Sequence, residues 1–183
     1  MKLKRLQAPL SDRDMEQLNT GDAVLISGII FTARDAAHKK MMELLKSGQA
    51  LPIDLAGQVI YYVGPAPARP GQVIGSAGPT TSGRMDFYTP ALLEHGVKAL
   101  IGKGGRSRAV RHALQKFKGV YLATTGGAGA LLAKRILAAE IVAYPELGPE
   151  AIRRLVVEDF PAIVINDSHG RDLYEEGRKN YAK

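Results

Sequence analysis

VKALIGKGGRSRAVRHALQKFKGVYLAT, residues 97–124, reads as strand, loop, helix and strand in succession. Val97 to Ile101 is a short, nearly continuous apolar run of the kind a buried strand shows, and Gly102 to Gly105 forms its exit loop. Ser107 stands where a helix N-cap is wanted, and Val110, Leu114 and Phe117 share one face of the basic helix RAVRHALQKFK that follows. Gly119 closes that helix, and VYLAT opens a second strand.

The same alternation extends in both directions. Residues 20–35, TGDAVLISGIIFTARD, begin with a turn and continue as one or two strands that deliver Thr32, Arg34 and Asp35 at their end. A helix over roughly 36–47 follows, capped by Asp35 and ended by Gly48, with Met41, Leu44 and Leu45 turned inward. Strands are expected at 58–63 and near 72–77, separated by an excursion whose Pro65, Pro67 and Pro70 rule out a continuous element. Thr89-Pro90 opens a helix that stops at Gly96, with Thr89 as cap, and TTGGAGALLAKRIL turns into a helix near 128. Further strands are expected at 139–143, 153–157 and 161–165, before a polar, peripheral tail EEGRKNYAK. The expectation is one α/β domain over 1–183, its topology left open.

Composition narrows the function. With 45% hydrophobic residues, 20 Gly and 6% aromatics in 183 residues, the chain can bury a real core and is neither disordered nor fibrous. The absence of cysteine excludes a disulfide scaffold, a cysteine nucleophile and a thiolate site for zinc or an iron-sulfur cluster held by this chain alone. No segment approaches membrane-spanning length and the apolar run after MKLKR is too short for a signal core, so a cytoplasmic location is expected. The net charge of +7 is compatible with nucleic acid, but the notable Arg and Lys residues lie beside Gly and Thr without interleaved aromatics, which favours a small anion.

Three fragments can hold such an anion. In Gly78-Pro79-Thr80-Thr81-Ser82-Gly83-Arg84-Met85-Asp86, glycine lets the backbone approach closely, the hydroxyls donate or accept, and Arg84 offers a planar fork. The alternative is a Thr/Ser turn with a surface arginine; Asp86 orients Arg84 in the first reading and caps the turn in the second. Lys103 within Gly102-Lys103-Gly104-Gly105 is either an accessible ligand-binding ammonium or a solvated turn lysine, and the spacing is not that of a nucleotide phosphate loop. Arg34 can clamp a carboxylate, with Asp35 orienting it or capping the helix. His38, one turn beyond Arg34, faces the same pocket or sits in the core or on the surface. His95, His112 and His169 lack metal-ligand spacing, and GGAGA does not meet the dinucleotide fingerprint.

Taken in order, TARDAAH (32–38), YYVGPAPARPG (61–71), GPTTSGRMD, IGKGG, the TTGGAGALLA region and VEDFPAIVIND (157–167) resemble the beta subunit, or carboxy-terminal domain, of class I fumarate hydratase over nearly the whole chain. The beta subunit of L-tartrate dehydratase is a near neighbour. The resemblance implies a swivelling β/β/α domain of the iron-sulfur hydro-lyase type, part of an enzyme that hydrates fumarate reversibly to S-malate. It implies a four-iron four-sulfur cluster held by a cysteine-containing alpha subunit, in an assembly of two alpha and two beta chains.

Residue by residue, the resemblance makes Arg34 and Arg84 dicarboxylate-binding arginines, Lys103 a substrate-contacting lysine, and Thr80-Thr81 the active-site threonine pair, with Thr80 moving the proton on the carbon side. Asp35, His38 and Asp86 are possible supports. Fumarate is favoured by the RDAAH, GPTTSGRMD and YYVGPAPARPG fragments; the alternatives are tartrate dehydration to oxaloacetate and a noncatalytic dicarboxylate-binding domain. One departure is Arg153-Arg154 in EAIRRLVVEDF, where the fumarase type carries an aromatic. It bears on local packing or the subunit surface.

Overall fold

The computed structural model describes residues 2–181. Seven strands among them form one sheet: β1 (Leu3–Ala8), β2 (Ala23–Thr32), β3 (Val59–Tyr61), β4 (Ala99–Gly102), β5 (Val120–Ala123), β6 (Ile136–Ala143) and β7 (Ile152–Asn166). Their order is β1-β2-β3-β4-β5-β7-β6. β2, β3, β4 and β5 run parallel, while β7 is antiparallel to both β5 and β2, so these five strands close into a small barrel. Closure leaves β1 and β6 as the outer strands, each paired to one neighbour.

Alternation along the short parallel strands produces two cores. Val59 and Tyr61, Ala99 and Ile101, and Val120 and Leu122 point into the barrel with Val24, Ile26, Ile30 and Phe160. Ile60, Leu100 and Tyr121 point outward, where they meet α2 (Asp35–Lys46), α3 (Thr89–Glu94) and α4 (Arg108–Lys116) through Met41, Leu92, Val110 and Leu114. A helix covering one side of a closed sheet explains why these strands read as apolar runs rather than alternating ones. Each fully buried Val or Leu on α4 contributes about 1.5–3 kcal/mol relative to exposure.

Several expectations need correction. Residues 72–77 form no strand; they are a loop, and just beyond them Pro79 forms an isolated bridge to Val63. The runs at 153–157 and 161–165 belong to one long strand, β7, and the run at 139–143 is the end of β6. Arg34, not Asp35, is the N-cap of α2, and Tyr88, not Thr89, caps α3. Ser107 caps α4 as expected, accepting from the Val110 N–H. The polar tail is helical as α6 (Leu173–Tyr181), with Ala182 and Lys183 outside the described residues. The sequence reading passed over β1, whose Leu6 and Ala8 are buried while Leu3, Arg5 and Gln7 face out. Arg153 donates to the carbonyls of Gly148, Pro149 and Ala151, so at this departure from the family pattern it stitches the turn Pro145–Glu150 to the start of β7.

Gly102 marks the closest approach in this layer. A Cβ there would lie 1.9 Å from Ser82 Oγ and 3.1 Å from Tyr62 Cδ2. Gly102→Ala therefore overpacks a tight contact, at a cost of about 1–3 kcal/mol, and Tm should fall by roughly 3–10 °C. A thermal melt unchanged within 1 °C of wild type, roughly the shift expected of about 0.3 kcal/mol, would contradict this reading of the contact.

Candidate dicarboxylate site

The parallel strands β2, β3 and β4 deliver their carboxyl ends to one side of the barrel, and the expected site residues follow those ends. Residues 80–82 wedge between the chains leaving β3 and β4. The Thr80 N–H donates to Tyr62 O at 2.7 Å, the Lys103 N–H to Thr80 O at 3.3 Å, and the Ser82 N–H to Lys103 O at 2.9 Å. Thr81 and Lys103 thereby form a parallel bridge. The backbone brings Thr80, Thr81 and Lys103 together, while neither threonine hydroxyl nor the Lys103 ammonium makes a hydrogen bond among the described residues. Lys103 is exposed and lies toward the Gly-rich loop after β5, where a Cβ on Gly126 would sit 3.8 Å from Nζ.

The two arginines meet over one carboxylate. Arg84 Nε donates to Asp35 Oδ1 at 2.9 Å, and Arg34 Nη2 lies 3.9 Å from Asp35 Oδ2 and 3.5 Å from Glu150 Oε1. Arg34 lies across Gly64, whose backbone position would put a Cβ 2.5 Å from Nη1. Its Nε is buried without a hydrogen-bond partner among the described residues. The Arg84 side chain remains 53% exposed and among the described residues bonds only through Nε, which leaves its two terminal nitrogens for a planar anion. Glu150 also accepts the Ala36 N–H at 2.8 Å, capping α2 where Arg34 supplies no side-chain cap. Sequence reading missed Glu150, and no local signal could have found a cap 114 residues away.

Asp86 does not orient Arg84. Its Oδ1 accepts from Arg106 Nε at 2.7 Å and its Oδ2 from the Ser107 N–H at 2.6 Å. Arg106, which the sequence reading passed over, is buried beneath the site. His38 is also outside the cleft. It is fully buried, with Nδ1 2.7 Å from Arg34 O and its ring against Tyr62 and Tyr88, so it supports the backbone of Arg34 from below.

Burial pushes the His38 imidazole down to about 4, an effect the nearby Arg106 charge reinforces and the Arg34 carbonyl and Asp35 oppose. The unfolded chain binds a proton near 6.5 while the native state does not. The contribution of neutral His38 is therefore complete above that value and lost as pH falls from about 6.5 towards 4, by about 3 kcal/mol. His38→Gln should flatten the unfolding free energy across that window; parallel curves for the two proteins would show that His38 is not the titrating group.

The site is an open surface rather than an enclosed cavity. A cavity of about 600 Å³ lies elsewhere, between β2, β5, β7 and α5 (Gly129–Ala133), lined by Val24, Leu131, Leu132 and Ile163. Among the described residues no set of three His, Asp or Glu side chains is arranged to hold a metal ion. Guanidinium, ammonium and hydroxyl groups that follow the ends of neighbouring strands are the chemistry a small dianion needs, donating to its oxygens and to charge developing on them.

Residues 2–177 match the family described as fumarase C-terminus. The chain belongs to this family. It is 42% identical over 176 residues to the anaerobic class I fumarate hydratase of Escherichia coli, and 41% identical over 166 residues to fumarate hydratase 2 of Leishmania major. Those matches cover 95% and 90% of this chain but only 31% and 29% of the relatives, so the chain spans about a third of their length. A Methanocaldococcus jannaschii protein provisionally named as an L(+)-tartrate dehydratase beta subunit is 41% identical over 181 residues, which cover 93% of that relative. The barrel with helices packed on one side is the swivelling β/β/α domain of this fumarate hydratase and tartrate dehydratase family. Among the described residues no helix is long and apolar enough to cross a membrane.

Proposed function

We propose that the domain is the substrate-gripping half of a hydro-lyase that converts fumarate and S-malate reversibly. What supports this reading is that Arg34 and Arg84 share the Asp35 carboxylate, and that Thr80 and Thr81 are tied by backbone bonds to Lys103, all just beyond the carboxyl ends of the neighbouring parallel strands β2, β3 and β4. Open faces of this kind need a second protein surface to exclude water. Iron-sulfur clusters are held by cysteine thiolates, and this chain has none, so its residues do not fit that group. The cluster belongs, in this proposal, to a cysteine-containing alpha subunit, with two alpha and two beta chains in the assembly.

Within this chain, the Arg84 fork takes one substrate carboxylate, and Arg34 and Lys103 complete the cationic grip. When S-malate loses its carbon-bound proton, negative charge moves onto the adjacent carboxylate, where fixed guanidinium donors stabilise it best. The proton passes to an ionised Thr80 Oγ1, which becomes a neutral hydroxyl, while the carbon–oxygen bond breaks and the departing hydroxide leaves as water with a proton that an acidic group of the alpha subunit would supply. A neutral hydroxyl is a poor base, and the surrounding cations favour its ionised form. Thr81 and Lys103 hold the substrate against Thr80, so proton transfer needs no large movement.

Tartrate is the second reading, favoured by the near-complete coverage of the Methanocaldococcus relative. Identity does not separate the two, at 42% and 41%. Anaerobic hydration of fumarate and dehydration of L-tartrate should be compared for this chain with and without a cluster-loaded alpha subunit. Fumarate turnover only in the pair supports the proposal; tartrate preference selects the second reading. A verified, cluster-loaded pair inactive on both would leave a dicarboxylate-binding role.

A further inference from the structure

Arg106 is a charged side chain with no exposed surface, held by a concentrated set of contacts. Its Nε donates to Asp86 Oδ1 at 2.7 Å and its Nη2 to Thr89 Oγ1 at 2.7 Å, and its guanidinium lies 5.4 Å from the Tyr62 ring centre and 4.8 Å from that of Tyr121. Thr89 passes its own proton to Met85 O, leaving its oxygen to accept from both Arg106 and the Tyr62 hydroxyl. Tyr121 donates to Gly104 O at 2.9 Å, so Ser82 donates to Tyr121 and accepts the Lys103 N–H at 3.1 Å. Burial pushes the Tyr121 hydroxyl well above its ordinary pKa and keeps it a neutral donor.

These bonds join two arms of the site. One arm, residues 80–89, carries Thr80, Thr81 and Arg84; the other, residues 102–107, carries Lys103. Arg106 belongs to the second arm and binds side chains of the first, while Asp86 returns a bond to the Ser107 N–H. An apolar side chain could fill the same space without the desolvation cost of a buried guanidinium, so packing alone gives no reason for a charge here.

We propose that Arg106 is a positioning residue that sets the distance and angle between the Thr80-Thr81-Arg84 arm and Lys103. It acts through Asp86 and Thr89 and does not touch substrate. The proposal rests on the hydro-lyase reading above. Small misplacement of reacting groups lowers the chemical step more than ground-state binding by flexible side chains. Losing Arg106 should therefore lower kcat more than it raises KM.

The test uses the assembled alpha-beta enzyme and the variants Arg106→Lys, Asp86→Asn and Thr89→Val, assayed well below each unfolding midpoint. Arg106→Lys keeps the charge but loses the planar fork, and kcat should fall by about tenfold or more with KM changed less. The losses from Arg106→Lys and Asp86→Asn should not add in the double variant, because both act through one contact. If Arg106→Lys does not fold, Thr89→Val, which leaves the charge pair intact, should show the same division between kcat and KM. Assembled, folded variants with kcat within about twofold of wild type, or losses that track only the unfolded fraction, overturn the proposal and leave Arg106 a stability residue, since a positioned group is expected to cost far more than that. A wild-type pair inactive on both substrates removes the hydro-lyase reading, and this proposal with it.

Discussion

Thr80→Ala is expected to lower kcat by about 10²- to 10⁴-fold, the range for removing a positioned proton-transfer group, while leaving the protein folded and assembled. The separation of activity from stability follows from the local bonding. Thr80 is held by its backbone, whose N–H donates to Tyr62 O and whose carbonyl accepts from the Lys103 N–H. Alanine keeps both bonds. The hydroxyl makes none among the described residues, so its loss costs the fold little. Steady-state turnover with the alpha subunit, beside a thermal melt, checks both halves; near-wild-type kcat in the assembled variant would remove the proton-transfer role from Thr80. Thr80→Ser, which keeps the oxygen, should recover much of the lost activity.

Arg84→Lys should raise KM and lower kcat/KM by roughly ten- to a hundredfold, matching about 1.5–3 kcal/mol for a charged hydrogen bond. Lysine preserves the charge but has no counterpart to Nε, so it loses the bond to Asp35 Oδ1 and the paired terminal donors together. Arg84 is half-exposed and its one hydrogen bond among the described residues is to a partly exposed carboxylate, so the melting temperature should barely move. Unchanged kinetics would place Arg84 outside the substrate site. If the losses from Arg84→Lys and Asp35→Asn do not add in the double variant, the two residues act as one unit.

Much of the element pattern was legible from local chemistry. Ser107 caps α4, Pro90 opens α3 and the apolar runs of β4 and β5 form strands, because capping, proline geometry and strand burial depend on residues close in sequence. The misreadings arose where tertiary pairing decided. β7 runs through Glu158, Asp159 and Pro161, a stretch that looks like a break, because β2 pairs with it on both sides of a bulge at 158–159. The opposite happened at 72–77, where an apolar run found no neighbour strand and stayed a loop. Loss of a ladder outweighs β propensity.

The candidate site divides in the same way. The types and local spacing of Arg34, Thr80, Thr81, Arg84 and Lys103 could be picked out along the chain because anion binding needs guanidinium, ammonium, hydroxyl and glycine in close company. Their supports could not. Asp35 was expected to serve Arg34 or the helix, and it also bonds Arg84; Asp86 was expected to orient Arg84 or cap its turn but bonds Arg106 and the Ser107 N–H; Glu150 and Arg106 went unnoticed. A carboxylate bonds whichever guanidinium the barrel brings near, and that proximity comes from strand order and closure, which local sequence does not encode. The sequence by itself determined which chemical groups the chain carries and that no cysteine is among them. Only the tertiary structure decided which carboxylate holds which arginine, because buried and half-buried charges must be matched in space.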